Sequence, residues 1–335
     1  MNVLVTGGAG FIGSHLVDHL LKDGHEVTVI DISSDNIGRN LNLHDNLRFI
    51  CDDVNNINTL DIGDIDAVVH LAALADIVPS IEEPLKYHHA NVDGTVAVLE
   101  FARKNNVKKF IYAGSGSCYG DKPKVPTQET DPIDCKYPYA LTKWIGEQYV
   151  FHWHKVYGIP VISLRFFNVY GPRSRTTGAY GAVFGVFLAQ KIKGKPFTVV
   201  GNGSQSRDFI YVSDVARAII LAIHSDKKGE VYNIGSGTHV SINSLVNLLR
   251  TTNGIERNVV NLPERPGEPQ ITMAWTDKAA TQLNFRPQID FKRGVGIMLD
   301  NIDYWKDAPV WDEASIKDAT SKWFETMGEN NANKI

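Results

Sequence analysis

The sequence has 335 residues, of which 43% are hydrophobic, and its formal net charge is -4 at pH 7. That length allows one large domain or two modest ones with a full core. The slightly acidic balance gives no basic surface for nucleic acid, no apolar run is long enough to span a membrane, and no signal peptide is expected. Three cysteines, Cys51, Cys118 and Cys135, favour a reducing cytoplasm and form no metal-site spacing.

A glycine-rich turn, residues 7–13, follows the apolar run Val3–Val5 and precedes a helical pattern. In this context the turn brings backbone N–H groups close to a pyrophosphate, and the helix N-terminus adds partial positive charge. One glycine must also be small so that the helix can pack on the strand. The predicted pyrophosphate contacts are Gly7, Gly10, Phe11, Ile12 and Gly13.

Asp31 ends the next apolar run, Val27–Ile30, at about the twenty-residue distance expected of a ribose-binding acid. A carboxylate there can accept hydrogen bonds from both ribose hydroxyls of NAD, and it would repel the 2′-phosphate of NADP. The alternative is a glycine turn followed by an incidental surface acid. The combination with the strand–turn–helix context favours the first interpretation, so NAD is the predicted cofactor.

Strand and helix patterns alternate through the first half of the chain, which predicts a parallel sheet covered by helices on both faces. The predicted strands are Asn2–Thr6, Glu26–Ile30, Leu47–Ile50, Ala67–Leu71, Lys109–Ala113, Val161–Arg165 and Glu230–Ile234. Helices are predicted at Ser14–Lys22, Ala90–Lys104, about 139–157 and Ser213–His224. The expected fold is α/β, a Rossmann-type doubly wound parallel sheet.

The composition changes beyond Gly171, where Gly, Thr, Arg and Pro cluster and short strand candidates appear at Pro196–Val200 and Asp208–Tyr211. This change predicts a smaller C-terminal α/β lobe that binds the substrate. The predicted cofactor domain is 1–172 plus about 212–235, the lobe is about 173–211 and 236–328, and 329–335 is a flexible tail.

Tyr139 and Lys143 are four residues apart on a predicted helix and therefore share a face. A neighbouring ammonium stabilises a phenolate, so Tyr139 could act as a general base near neutral pH. Lys143 could also hydrogen-bond the nicotinamide ribose. This spacing is also common on ordinary exposed helices, so alone it is weak.

Ser115 lies in the small-residue stretch 112–120, at the carboxyl end of the fifth predicted strand, where ligands bind in such sheets. Small residues leave room for a nicotinamide and a substrate, and Ser115 could donate to a substrate hydroxyl or ketone oxygen. A plain small-residue turn is the alternative.

These motifs occur in order with three others: His70-Leu71-Ala72-Ala73, Asn91–Thr95 and Arg165–Arg173. From Met1 to about Asn284 the chain closely resembles the extended short-chain dehydrogenase/reductases, specifically the nucleotide-sugar epimerases and dehydratases. The resemblance implies the Rossmann-type fold, bound NAD and a nucleoside-diphosphate sugar substrate. It also implies a homodimer formed through the helices at about 91–104 and 139–157.

The resemblance assigns roles to individual residues. Asp53 meets the adenine, Ala72 and Ala73 run along the cofactor, and Asn91 steadies that loop. The implied cofactor contacts are Asp52, Asp53, Val54, Leu71, Ala72, Ala73, Asn91, Tyr139, Lys143 and Phe166. The implied substrate contacts are Ser115, Ser117, Asn168, Arg207 and Arg265, of which the two arginines suit a diphosphate.

Some positions leave alternatives open. Arg207 could instead pair with Asp208 or Glu268 on the surface. Ser80, Lys86, Tyr87 and Ser117 are further candidates near the sugar, and Thr176–Tyr180 is a candidate cover for the nucleotide. Ile32 replaces an Asn that often accompanies the ribose-binding acid in this family, which puts one cofactor contact in doubt.

The two residues after Ser115 favour one reaction within the family. The 4,6-dehydratases carry Asp and Glu there, and the decarboxylases keep a Glu at the second position, whereas this chain has Gly116 and Ser117. The remaining set of Ser115, Tyr139 and Lys143 suits a UDP-hexose 4-epimerase that works through a transient 4-keto sugar with tightly bound NAD. The alternatives are UDP-glucuronate decarboxylation or another 4-keto-sugar reaction, a catalytically silent NAD-sensing protein, and a 3β-hydroxysteroid-type reductase.

Overall fold

The computed structural model describes residues 1–121, 124–174, 183–252, 255–256 and 258–329. The strands are β1 (Asn2–Thr6), β2 (Glu26–Asp31), β3 (Leu47–Cys51), β4 (Ala67–His70), β5 (Lys109–Ser115), β6 (Val161–Phe166), β7 (Asn168–Tyr170), β8 (Phe197–Val200), β9 (Ser206–Arg207), β10 (Phe209–Tyr211), β11 (Glu230–Ile234), β12 (Val240–Ser241), β13 (Thr251–Thr252), β14 (Ile255–Glu256) and β15 (Val259–Leu262). The helices are α1 (Phe11–Lys22), α2 (Ile77–Glu82), α3 (Pro84–His88), α4 (Gly94–Lys104), α5 (Pro138–Tyr157), α6 (Val183–Ile192), α7 (Val212–His224), α8 (Ile242–Arg250), α9 (Asp277–Gln282), α10 (Phe291–Asp300) and α11 (Glu313–Glu329).

A seven-stranded parallel sheet organises the larger part of the described chain, in the order β11-β6-β5-β4-β1-β2-β3. Its central strands are buried along their whole length, as expected where helices cover both faces. After β3 the chain crosses back to place β4 on the other side of β1. That reversal opens a crevice at the carboxyl ends of β1 and β4, the usual ligand position in such sheets. The predicted Rossmann-type fold is confirmed.

The helices cover the sheet in two layers. On one face α1 and α7 pack together, with Leu16, Leu20 and Ile219 in the core beneath them. On the other face α4 and α5 pack together over a second core that includes Leu99 and Val150. The apolar residues of each helix lie on the side that meets the sheet, which is why the alternating pattern of the sequence predicts two helical layers.

Helix α5 carries the predicted Tyr139–Lys143 pair, and its ends follow clear local signals. Pro138 occupies the first helical turn, where its missing N–H costs no hydrogen bond. Gly158 ends the helix with φ +75°, a left-handed conformation that favours glycine. The chain direction therefore puts Tyr139 at the end of the helix that adjoins the carboxyl edge of the sheet.

The smaller lobe has its own core, with Phe187, Phe197, Leu245 and Met298 buried together. Strands β8 and β15 pair in parallel beside helices α6 and α8, so the lobe is α/β as predicted. Helix α9 departs from the predicted division: it packs against β11, and Phe285 just beyond it belongs to the core of the large sheet. Of the predicted tail only Glu329 is described, and it ends α11.

One local difference from the predicted strands follows from pairing. Strand β5 runs two residues further than predicted, because Gly114 and Ser115 continue the parallel register with Arg165 and Phe166 of β6. Ser115 is thus fixed at the end of a strand. Within the described residues, no helix combines the length and apolar character needed to cross a membrane.

Candidate active site

A cleft of about 1240 Å³ runs along the carboxyl edge of the large sheet and under the smaller lobe. Pockets for one small ligand usually measure about 300–1,000 Å³, so this cleft has room for a dinucleotide and a second ligand. The predicted site residues that line it are Gly7, Gly10, Phe11, Ile12, Gly13, Asp31, Asp52, Asp53, Val54, Leu71, Ala72, Ala73, Ser115, Ser117, Tyr139, Lys143, Phe166, Asn168, Arg207 and Arg265. Their individual ligand contacts remain predictions.

The glycine turn has the close packing that a dinucleotide site requires. Gly7 has φ +68°, and a Cβ there would lie 2.7 Å from the backbone nitrogen of Ala72. A Cβ on Gly13 would collide with the carbonyl oxygen of Gly7, so α1 can approach the turn only with glycine at that position. Gly10 starts α1 without a side-chain cap, which leaves the first-turn N–H groups for a ligand. These features fit NAD.

Asp31 is held in place by the turn that it faces. One carboxylate oxygen accepts a hydrogen bond from the backbone N–H of Ala9 at 3.0 Å, and the other accepts one from Ser33 at 3.0 Å. Burial raises the pKa of Asp31, and these backbone hydrogen bonds oppose that rise. The side chain lines the cleft, where a carboxylate oxygen is a suitable acceptor for ribose hydroxyls.

The two acids after β3 are anchored locally at the rim of the cleft. Asp53 begins the 3-10 turn Val54–Thr59 and accepts a hydrogen bond from the N–H of Asn55 at 2.9 Å. Asp52 accepts one from the side-chain amide of Asn56 at 2.8 Å. Helix-capping therefore accounts for part of the Asp53 carboxylate's bonding, a role the sequence analysis did not assign.

Asn91 is not among the residues that line the cleft, and its contact with the cofactor stays a prediction. It lies in a π-helical turn (His89–Asp93), is 1% exposed, and exchanges hydrogen bonds with both backbone groups of Leu74. Its amide also donates to Thr142 of α5 at 3.0 Å. Asn91 thus ties the loop after β4 to α5 and acts on the site through that loop.

His70, at the end of β4, is enclosed between two threonines. Its Nδ1 lies 2.7 Å from Thr6 Oγ1, and its Nε2 lies 3.1 Å from Thr95 Oγ1. Burial, with the nearby Lys143 charge, lowers the pKa of His70 to about 3. The folded protein therefore holds a neutral imidazole at physiological pH.

The low pKa of His70 predicts an acid-dependent loss of stability. The unfolded chain protonates His70 near pH 6.5, whereas the folded chain does so near 3, so stability falls as pH drops through this interval. The slope due to this one residue approaches about 1.4 kcal/mol per pH unit. We expect His70→Gln to lose that slope, measured as the wild-type minus variant free energy of unfolding in urea between pH 7 and 4. A difference that is independent of pH would contradict the assignment.

Ser115 and Tyr139 converge at the bottom of the cleft. The Tyr139 hydroxyl lies 3.4 Å from Ser115 Oγ, and Ser115 Oγ lies 2.7 Å from Ser117 Oγ. The strand end fixes Ser115 and the first turn of α5 fixes Tyr139, so both hydroxyls point to one location. A sugar oxygen placed there would meet a base and a hydrogen-bond donor together.

Lys143 lies one turn further along α5 and is buried. Its Nζ is 4.4 Å from the centre of the Tyr112 ring, which is a cation–π distance. Burial lowers the pKa of Lys143 to about 7, and the negative charge of Glu147 opposes this. Its charge at neutral pH therefore depends on the residues around it.

The residues behind Lys143 form a buried ion pair that the sequence analysis missed. Glu147, one turn beyond Lys143, pairs with Arg165 of β6 at 2.6 and 3.0 Å and accepts a hydrogen bond from Ser163. The same arginine donates to Tyr119 at 2.6 Å. A Cβ on Gly114 would lie 3.1 Å from Glu147, so this glycine makes room for the ion pair as well as for a ligand. In the sequence, a local signal for Glu147 is that it lies four residues after Lys143 and therefore on the same face of the predicted helix.

The predicted phosphate end of the cleft lies in the smaller lobe. Arg207 pairs with Glu268 at 3.0 Å and donates to the carbonyl oxygen of Pro269 at 2.7 Å. The pairing matches the alternative considered above, but Arg207 is buried in the cleft wall and is not a surface residue. Asn168 and Arg265 line the same end.

Helix α11 contributes residues that the sequence analysis did not identify. Trp323 packs against Tyr137, with ring centres 5.9 Å apart, and its Nε1 donates to the carbonyl oxygen of Pro266 at 3.0 Å. Tyr137 in turn lies parallel to the Tyr139 ring at 6.5 Å. The C-terminal helix therefore supports both the catalytic end and the segment that carries Arg265. No local sequence pattern signals this long-range contact.

The remaining sugar candidates divide into two groups. Lys86 and Ser117 line the cleft. Ser80 and Tyr87 do not: both are buried, and Ser80 Oγ donates to the carbonyl oxygen of Ile77. Thr176–Tyr180 lies outside the described residues.

Together, a doubly wound sheet, a glycine turn facing Asp31, and a cleft lined by Ser115, Tyr139 and Lys143 define the extended short-chain dehydrogenase/reductase class. A model of the NAD-dependent epimerase/dehydratase family matches residues 3–235, and the chain belongs to that family. NAD is its cofactor, and its curated relatives identify it as an epimerase enzyme.

Three similar proteins illustrate the range of sugar nucleotides for which proteins like this chain are named. A putative UDP-glucose 4-epimerase of Methanocaldococcus jannaschii is 35% identical over 88% of this chain and 95% of its own. The UDP-N-acetylglucosamine 4-epimerase of Methanobrevibacter ruminantium, in complex with UDP-N-acetylmuramic acid, is 36% identical over 90% and 98%, with a TM-score of 0.81. The UDP-glucuronic acid 4-epimerase of Bacillus cereus, in complex with UDP-glucuronic acid and NAD, is 34% identical over 92% and 99%, with a TM-score of 0.81.

Proposed function

We propose that this chain is a nucleotide-sugar 4-epimerase of the UDP-hexose class, working through a transient 4-keto sugar while NAD stays tightly bound. The observation that carries the proposal is the convergence of the Ser115 and Tyr139 hydroxyls, 3.4 Å apart, with Lys143 one turn behind. The two positions after Ser115 are Gly116 and Ser117, so no carboxylate follows it to move protons at neighbouring sugar carbons.

Held along the glycine turn and by Asp31, NAD would supply the acceptor for the C4 hydride of the sugar and the donor that returns it. Tyr139 accepts the proton of the 4-hydroxyl as the carbonyl forms, and Ser115 hydrogen-bonds the same oxygen in both halves of the reaction. Lys143 stabilises the phenolate by its positive charge. When the carbonyl is reduced on its other face, Tyr139 returns the proton to the oxygen. Protons and hydride balance, so the reaction has no net redox change.

The other end of the substrate must stay fixed while the sugar turns. Arg207 and Arg265 line the predicted phosphate end, and two guanidinium groups can hold a diphosphate by paired hydrogen bonds. Arg207 is preoriented by Glu268 and Pro269. With the diphosphate as the anchor, the sugar can present either face to the cofactor. This supports an epimerase over a reductase that lacks a nucleotide-binding lobe.

The identity of the sugar substrate can be tested directly with a panel of UDP-sugars. We expect purified protein, without added metal, to interconvert UDP-glucose and UDP-galactose, their N-acetyl forms, or UDP-glucuronate and UDP-galacturonate, as followed by proton NMR. The related proteins act on different members of this panel, so the most rapidly converted pair defines the substrate. Release of CO2 or accumulation of a dehydrated 4-keto product would favour the decarboxylase or dehydratase alternative. Binding of NAD with no conversion of any sugar would favour the silent sensor.

The proposal includes a homodimer formed by the exposed face of α5 and the adjoining α4. Leu141 is 47% exposed on α5 and Val156 is 53% exposed, and Tyr149 lies between them on the helix. A second copy of this chain would cover that apolar face. We expect Val156→Glu to convert a dimer to a monomer in sedimentation velocity runs, because it would bury a charge in the interface. Leu248→Glu, at a 38% exposed leucine on α8, is the control; a monomeric wild type would refute the dimer.

The proposed compartment is the cytoplasm. All three cysteines are free thiols in the structure, and Cys118 is buried. Burial raises the pKa of the Cys118 thiol to about 12, so it is unreactive at neutral pH. Free thiols are typical of proteins in reducing compartments, which supports the cytoplasm.

A further inference from the structure

The segment after β2, residues 32–41, forms a loop over the end of the cleft that adjoins Asp31. The side-chain amide of Asn40 donates to the carbonyl oxygen of Ala9 in the glycine turn at 3.0 Å, and Leu41 enters the core of the large sheet. Asn36, Arg39 and Asn40 line the cleft. This post-β2 loop is therefore attached to the turn that faces the cofactor.

Tyr304 reaches this loop from the smaller lobe. It lies in the 3-10 turn Ile302–Trp305, which packs on α6 and is fixed by the buried Trp305. Its hydroxyl donates to Asn40 Oδ1 at 3.2 Å, and the Arg39 guanidinium carbon lies 4.7 Å from the centre of its ring. These two contacts join the smaller lobe to the loop across the cleft.

The chemistry of the Tyr304 contacts favours a stable link between the smaller lobe and the post-β2 loop. Burial raises the pKa of Tyr304, with Arg39 opposing, so the hydroxyl remains a donor at neutral pH. Asn40 is itself buried, and its amide uses one end for Ala9 and the other for Tyr304. A cation on an aromatic face adds attraction that does not need a fixed hydrogen-bond direction.

The position of the Tyr304 contacts affects how a bound dinucleotide could leave the cleft. A cofactor lying along the glycine turn, with a ribose at Asp31, would run beneath the post-β2 loop. It could leave the cleft at that end only if the loop moved away from Tyr304. The Tyr304–Asn40 and Tyr304–Arg39 contacts would then have to break first.

We infer that Tyr304 is a positioning residue that fastens the post-β2 loop over bound NAD and slows its release. The inference rests on the proposed 4-epimerase function, in which a sugar oxidised at C4 is reduced again only if the same cofactor remains in the cleft. A tyrosine outside the segment 3–235 matched by the family model thereby contributes to keeping NAD resident through many turnovers.

The test is the rate at which bound NAD exchanges with excess labelled NAD, measured without sugar. Tyr304→Phe removes the hydroxyl but retains the ring over Arg39, and we expect release about 2- to 12-fold faster, the range of one hydrogen bond. Tyr304→Ala removes both contacts, and we expect release at least about tenfold faster. With a sugar substrate, this variant should also lose activity progressively, and added NAD should restore it.

Tyr232→Phe is a matched control. The Tyr232 hydroxyl donates to Gln282 Oε1 at 2.8 Å and Lys278 Nζ lies 5.0 Å from its ring, but Tyr232 does not line the cleft. It should release NAD at the wild-type rate. Release from Tyr304→Ala at that same rate would overturn the inference. Because no sugar is used, faster release would support the inference even if the panel above showed no epimerisation.

Discussion

Tyr139→Phe should lower the rate of epimerisation by about 10²- to 10⁴-fold, the range contributed by a positioned general acid–base group. The substitution removes the hydroxyl that lies 3.4 Å from Ser115 and leaves the ring in place beside Tyr137. Binding of NAD should stay near that of the wild type, because the glycine turn and Asp31 are untouched. The measurements are turnover on the best sugar of the panel and the amount of NAD per chain.

Tyr232→Phe again serves as the control, because it removes a tyrosine hydroxyl away from the cleft. Epimerisation by Tyr139→Phe within about tenfold of the wild-type rate would remove Tyr139 as the base. If the amount of bound NAD per chain fell as much as the activity, the result would instead indicate a disrupted fold. The two readouts therefore separate chemistry from binding.

Glu147→Gln should destabilise the protein by about 3–5 kcal/mol, because it leaves the buried Arg165 guanidinium without its anionic partner. Both side chains of this ion pair are almost completely buried. The change should appear as a lower urea midpoint with an unchanged denaturant slope. We also expect the pKa of Lys143, already lowered to about 7 by burial, to fall further, since Glu147 opposes that shift.

A surface pair provides the comparison. Glu325 pairs with Lys322 on α11 at 3.2 Å, with both side chains largely exposed. Glu325→Gln should change stability by no more than about 0.5 kcal/mol. A double variant, Glu147→Leu with Arg165→Met, should be less destabilised than Glu147→Gln, because no buried charge remains unpaired. Equal midpoints for Glu147→Gln and the wild type would contradict this account.

The parts of the fold that the sequence predicts are those with local signals. The alternating apolar runs predict the central sheet, and the glycine turn followed by Asp31 predicts where a dinucleotide lies. Parallel strands that end at the same edge bring Ser115 near Tyr139 even though 24 residues separate them. Each of these inferences needs only a short pattern and the known geometry of α/β sheets.

The parts that the sequence does not predict depend on distant contacts. Trp323 meets Tyr137, and Tyr304 meets Asn40 across 264 residues, without any pattern that connects them. Asn91 is a related case, because its place in a motif does not reveal that its amide hydrogen-bonds Leu74 and Thr142 inside the protein. These contacts depend on how distant segments pack together in the fold, which a local sequence pattern does not determine.

The position of α11 has a consequence for synthesis on the ribosome. This helix, residues 313–329, packs on α2 and secures Tyr137 and Pro266 through Trp323. The last of the seven strands ends at residue 234, whereas the wall beside Tyr139 includes Trp323, so that wall is finished only after nearly a hundred more residues have been translated.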